Sequence, residues 1–77
     1  MGILEAFIRQ MREHREARHW TQERAAFECA VSVEHYKKVE RGVSTPSLTI
    51  AVRMARVLDI DLNALKKLKD DKSEETR

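Results

Sequence analysis

Apolar residues recur along this chain at three- and four-residue spacing, the period of helices rather than of strands. Leu4, Phe7, Ile8 and Met11, with Arg15 on the same row, predict a helix over Ile3–Ala17. Its opposite face carries Arg9, Arg12, Glu13 and Glu16. Ala25, Ala26 and Cys29 predict the buried face of a second helix, Gln22–Cys29, and Tyr36 and Val39 that of a third, Val33–Arg41. Leu48, Ile50, Ala51, Met54, Ala55 and Leu58 mark a fourth helix over Leu48–Leu58, and Leu62, Leu65 and Leu68 form the stripe of a fifth.

The punctuation between these runs agrees with them. Thr21, Ser32, Ser47 and Asp61 each stand just before a run, where a side-chain oxygen can accept from free N–H groups at a helix start. Trp20 with Ala25, Val31 with Tyr36 and Ile60 with Leu65 have the spacing of hydrophobic staples. Gly42 follows Arg41, where a left-handed helix end is cheap for glycine. The link Ala30–Val31 is too short to let the second and third helices stack antiparallel, so they must cross steeply. Trp20–Gly42 therefore reads as a helix-turn-helix, whose second helix has the size to enter a DNA major groove.

Composition narrows the class. With 77 residues the chain is one domain at most, and 42% apolar content suffices for a small helical core. The expected organisation is a domain over residues 1–68 and a charged, fraying tail over 69–77. A single cysteine, Cys29, excludes an intrachain disulfide and suits a reducing compartment. No signal peptide and no run long enough to span a bilayer is evident, so a cytoplasmic location with no membrane partner is expected.

The net charge of +2 says less than its distribution. Lys37, Lys38, Arg41, Arg53 and Arg56 face one acid, Glu40, between positions 37 and 56, whereas positions 59–77 hold six acids and five bases. The excess sits on and after the third helix, where a phosphate backbone would lie, although solvated helical faces also carry such clusters.

The segments WTQERAA, VSVEHYKKVERG and TPSLTIAVRMARVLDIDLNAL resemble the Xre family, the phage lambda-repressor and Cro type of helix-turn-helix proteins, over about Phe7–Leu65. The resemblance implies an all-α, five-helix lambda-repressor-like domain that binds double-stranded DNA. It matches Val33, Glu34, His35, Lys37 and Lys38 to positions that can face the bases. It matches Thr21, Gln22, Arg41, Ser44 and Thr45 to backbone-contacting positions, and Arg15 and Glu40 to a partly buried ion pair. The chain departs from the family pattern at Ala30, where the turn commonly has glycine, and at Asp59, where glycine commonly ends the fourth helix. Ala25 replaces a usual leucine, leaving volume for Trp20 or Phe27. Val33 is apolar where polar base-readers are frequent.

The chemistry of these residues also stands by itself. Lys38 can donate to guanine O6 or N7, Glu34 can accept from cytosine N4, and Val33 can touch a thymine methyl. Glu34 also lies in a first helical turn, where the dipole favours any acid. One such domain covers about one half-site, so a homodimer is expected, with Val52, Leu65 and Leu68 as interface candidates, Leu62 and Leu65 being also candidates to close the monomer core, and Ile3 and Leu4 as a second apolar patch. RNA polymerase and a toxin are the further partners to weigh, the latter if the chain is an antitoxin or adaptor. His14 and His19 lack a completing ligand set, Cys29 has no paired histidine, and no carboxylate pair lines a plausible pocket. No enzyme activity, cofactor or metal is therefore expected.

Overall fold

The computed structural model describes residues 2–68, so the tail expected over 69–77 lies outside the described residues. Five helices follow in order: α1 Ile3–Ala17, α2 Gln22–Cys29, α3 Val33–Glu40, α4 Leu48–Leu58 and α5 Leu62–Leu65. No strand occurs among the described residues.

Local chemistry starts each helix. Thr21, Ser32, Ser47 and Asp61 accept from the N–H groups of Arg24, His35, Ile50 and Ala64 at 3.0–3.2 Å, and each removes one orphan donor. At α1, where Gly2 has no side chain to offer, Glu5 reaches back to the Gly2 N–H at 2.9 Å. Two helices end in a left-handed residue that is not glycine: Ala30 after α2 (φ 59°) and Asp59 after α4 (φ 58°). His19, between α1 and α2, is a third (φ 59°). Gly42, at φ 79°, closes α3, and Arg41 caps that helix instead of extending it.

The core is one cluster. Phe7 and Met11 come from α1, Ala25, Ala26 and Cys29 from α2, Tyr36 and Val39 from α3, and Met54, Ala55 and Leu58 from α4. Ile60 and Leu65 cover its lower edge. The three small residues of α2 let that helix approach its neighbours closely, and α2 packs chiefly against α3. Polar ties fix the outer elements. Gln10 Oε1 accepts the Asp61 N–H at 2.8 Å, joining α1 to the start of α5. His14 Nδ1–H donates to the Leu58 carbonyl, one of the free acceptors at the end of α4.

Several side chains sit differently from the sequence pattern. Leu65 was expected at a dimer interface, but it is 6% exposed and spends its surface inside the monomer. Leu62, on the same stripe, is the exposed one, because α5 lasts a single turn and only one of its faces meets the core. Leu68 is half-buried against the core. Leu48 is 81% exposed: it is the first residue after the Ser47 cap and projects beyond the packed turns of α4. The space beside Ala25 is not taken by Phe27, which is 78% exposed. Trp20 is half-buried against the core instead, its ring lying between the guanidinium groups of Arg18 and Arg24 at 5.6 and 5.1 Å.

Candidate nucleic-acid interface

The α2–α3 unit is held at a fixed angle by its turn. Ala30 adopts the left-handed conformation that reverses the chain, and the Val31 N–H reaches back to the Ala26 carbonyl at 3.0 Å. Arg53 of α4 donates to the Ala30 carbonyl at 3.0 Å and so pins the turn from below.

Beneath the unit lies a buried polar hub. Glu40, 3% exposed, accepts from Arg15 Nε at 2.9 Å and Arg15 Nη2 at 3.1 Å, a bidentate pair between α1 and α3. It also accepts from Gln22 Nε2 at 2.8 Å and from the Tyr36 hydroxyl at 3.0 Å. Arg15 spends its remaining Nη1 on the Trp20 carbonyl at 3.0 Å. Burial pushes the Glu40 carboxyl up, but the hydrogen bonds from Arg15, Gln22 and Tyr36 outweigh it and hold the group below the usual carboxylate range. Arg15 is correspondingly raised, first by its hydrogen bond to Glu40. The Tyr36 hydroxyl is raised by burial and then by the Glu40 charge. Arg15, Tyr36 and Glu40 thus keep a fixed protonation state near neutrality.

This hub orients α3. With Tyr36, Val39 and Glu40 turned inward, Glu34, Lys38 and Arg41 fall on the opposite side of the helix, flanked by Val33 and Lys37. Val33, Glu34 and Arg41 are exposed, the Lys37 and Lys38 side chains are part-exposed, and His35 is half-buried at the flank. Thr21 and Thr45 are exposed, and Gln22 and Ser44 are half-buried. Gln22 presents its amide nitrogen to Glu40, since a carboxylate can only accept. It is therefore a positioned side chain at the start of α2 and not a freely rotating one.

The outward cations do not all stand free. Lys37 Nζ lies 3.3 Å from Glu23 Oε2 across the α2–α3 angle, and Lys38 Nζ lies 3.7 Å from Glu34 Oε2 one turn away. Glu23 is held below the usual carboxylate range, first by the N–H groups at its helix start and then by Lys37. Helical periodicity carries no sign of the Glu23–Lys37 contact, because it bridges two helices. The inward bond of Gln22 and the exposure of Phe27 were equally out of its reach.

The helix-turn-helix family model matches residues 11–65. The chain belongs to the helix-turn-helix family of the Xre, or lambda-repressor, type. Its Xre-type domain is a DNA-binding domain, and the five-helix, all-α fold agrees with that membership. No curated protein and no solved structure gives a significant match to the chain. Cys29 is buried, its thiol pushed up to about 11 by burial and then by the Glu28 charge, so it is a core residue and a poor nucleophile. Among the described residues no group of three metal-ligating side chains converges, and no helix is long and apolar enough to cross a membrane.

Proposed function

We propose that the chain is a sequence-specific transcription regulator that binds a two-fold symmetric DNA operator as a homodimer, with α3 in the major groove. The observation that carries the reading is the orientation of α3. Its inner face is locked by the Glu40 hub, and its outer face offers one donor-rich, one acceptor and one apolar side chain in Lys38, Glu34 and Val33. Those are the three kinds of group that distinguish base edges in the major groove. His35 and Lys37 flank them, and Thr21, Gln22, Arg41, Ser44 and Thr45 would meet phosphates on either side.

Dimerisation would use the apolar surface that the fold leaves uncovered. Val52 is exposed on α4, and Ile3 and Leu62 are exposed nearby on α1 and α5. A groove with Ile3, Leu4, Ala51 and Leu62 in its walls joins these elements. Leu68 contributes at most its half-buried edge. A regulator of this kind works in the cytoplasm by blocking or recruiting RNA polymerase.

Selection of bound sites from random DNA at stated salt tests the reading. Lys38→Ala should relax base preference at one position of the selected site, and Gln22→Ala should weaken binding to every sequence alike. Equal losses on all sequences for both variants would remove Lys38 from base readout. Tight binding to a partner protein without any salt-dependent DNA binding would favour the antitoxin or adaptor reading instead.

A further inference from the structure

Among the described residues, the cations on and around α3 include two sets. On α3, Lys37 and Lys38 each lie within 4 Å of a carboxylate, Glu23 and Glu34 respectively. Arg9, Arg12 and Arg41 have no carboxylate within 4 Å among the described residues, and all three are exposed. They line one cleft of about 470 Å³ between α1 and the C-terminal end of α3, floored by Ile8 and Gly42. Arg12 does not wander: its Nη2 donates to the Glu40 backbone carbonyl at 3.1 Å, which fixes the guanidinium at the mouth of the helix end. The Glu40 carboxylate beside the cleft is already matched by Arg15. Glu5, the remaining acid in the wall, has one oxygen committed to the Gly2 N–H at 2.9 Å. The cleft is therefore a cationic pocket of net positive charge, built from two helices and partly preset by a backbone hydrogen bond.

We propose that this cleft is a DNA phosphate-binding site, in which Arg9 and Arg12 of α1 act with Arg41 to grip the DNA backbone. The inference rests on the DNA-binding reading of α3. A helix lying in the major groove has a phosphate ridge on each side. Gln22 at the start of α2 donates to the Glu40 carboxylate and Arg12 to the Glu40 carbonyl, so the cleft adjoins the phosphate contact proposed for Gln22 at the C-terminal end of α3. Guanidinium groups suit the task because their planar fork can engage two phosphate oxygens at once. The division of charge gives each set a separate role. The unpaired arginines supply affinity that does not depend on sequence, through release of condensed counterions. The lysines of α3 must leave Glu23 and Glu34 before they can help, so they add little to random DNA and more where a base edge replaces the carboxylate.

The test is the salt dependence of binding by the full chain, measured on a selected site and on random duplex. Arg9→Gln and Arg12→Gln should each lower the slope of log K against log salt by about 0.9, and weaken binding about fivefold near 0.15 M salt. The loss should be the same on both DNAs. Arg56→Gln, which removes the same charge from the exposed face of α4, is the control and should leave the slope unchanged. Arg9 makes no hydrogen bond among the described side chains, so its variant keeps the test clear of any folding defect at Arg12. Slopes for Arg9→Gln equal to wild type, equal losses for Arg56→Gln, or losses confined to the selected site would each overturn the cleft assignment and leave the role of α3 standing. Absence of salt-dependent DNA binding by the unaltered chain would overturn both.

Discussion

Removing the Glu40 side chain should cost this domain a large share of its stability. Glu40→Ala takes away four accepted hydrogen bonds at once: two from Arg15, one from Gln22 and one from Tyr36. Gln22 is half-buried and can turn to water, so its loss is small. The Tyr36 hydroxyl is fully buried, and leaving it without an acceptor costs about 1–3 kcal/mol. Arg15 keeps its charge with only 13% of its side chain exposed, and breaking a buried ion pair from one side costs about 3–5 kcal/mol. These losses overlap, because all pass through one carboxylate, and a total of about 4–5 kcal/mol is the expectation. A chain of 77 residues has about 4–12 kcal/mol to lose at typical stability per residue. Urea unfolding followed by far-ultraviolet circular dichroism should show an unfolding free energy about 4–5 kcal/mol lower for Glu40→Ala than for wild type, as a lowered midpoint. Tyr36→Phe, which removes one bond to a charged acceptor and orphans nothing else, should cost about 1.5 kcal/mol. The triple replacement Arg15→Met, Tyr36→Phe, Glu40→Leu should recover much of the loss, because a well-packed apolar substitute for a buried ion pair is often as stable. A loss below about 1 kcal/mol for Glu40→Ala would refute the reasoning, since that is the worth of a solvated surface pair.

Three other outcomes are expected. Ala30→Gly should raise stability by about 0.5–1 kcal/mol, read as a higher Tm, because it removes the left-handed strain at φ 59°; a lower Tm would mean the turn is not strained. Glu40 has its folded pKa depressed, so its contribution is fully present above its ordinary value of 4.5 and lost as pH falls through the lower folded value. Stability of wild type relative to Glu40→Gln should therefore be constant above about pH 5 and shrink below 4.5, and a difference that grows on acidification would contradict the sign. Val52→Glu or Leu62→Glu should lower the sedimentation mass of the assembly while leaving the far-ultraviolet spectrum unchanged; a mass independent of both substitutions would move the interface elsewhere.

Much of this fold was legible because its signals are local. The bounds of α2 follow from Thr21 on one side and Ala30 on the other, and the burial of Ala25, Ala26 and Cys29 follows from helical spacing. The left-handed ends at Ala30 and Asp59 fall where the resembled family commonly has glycine, whereas His19 carried no glycine or asparagine signal to betray it. Legibility stops where a side chain's fate depends on another helix. Leu62 and Leu65 lie on one apolar stripe, yet only the packing of α1 decides that Leu65 goes in and Leu62 stays out. Leu48 reads as core by its pattern and is exposed because the first turn of α4 overhangs the core. At the candidate interface, the outward side of α3 could be read from Tyr36 and Val39. The Gln22–Glu40 bond, the Glu23–Lys37 pair and the meeting of Arg9 and Arg12 with Arg41 join residues 14 or more positions apart, and no short-range pattern encodes them.

The role assigned to α3 is most directly tested by nuclear magnetic resonance of the labelled protein titrated with a duplex recovered by selection. The largest shifts should fall on Val33, Glu34, Lys37 and Lys38, with smaller ones at the start of α2 and around Arg41, and the ring of Tyr36 should stay protected. Shifts concentrated on the groove around Ile3, Leu4 and Leu62, with those of α3 unmoved, would contradict it.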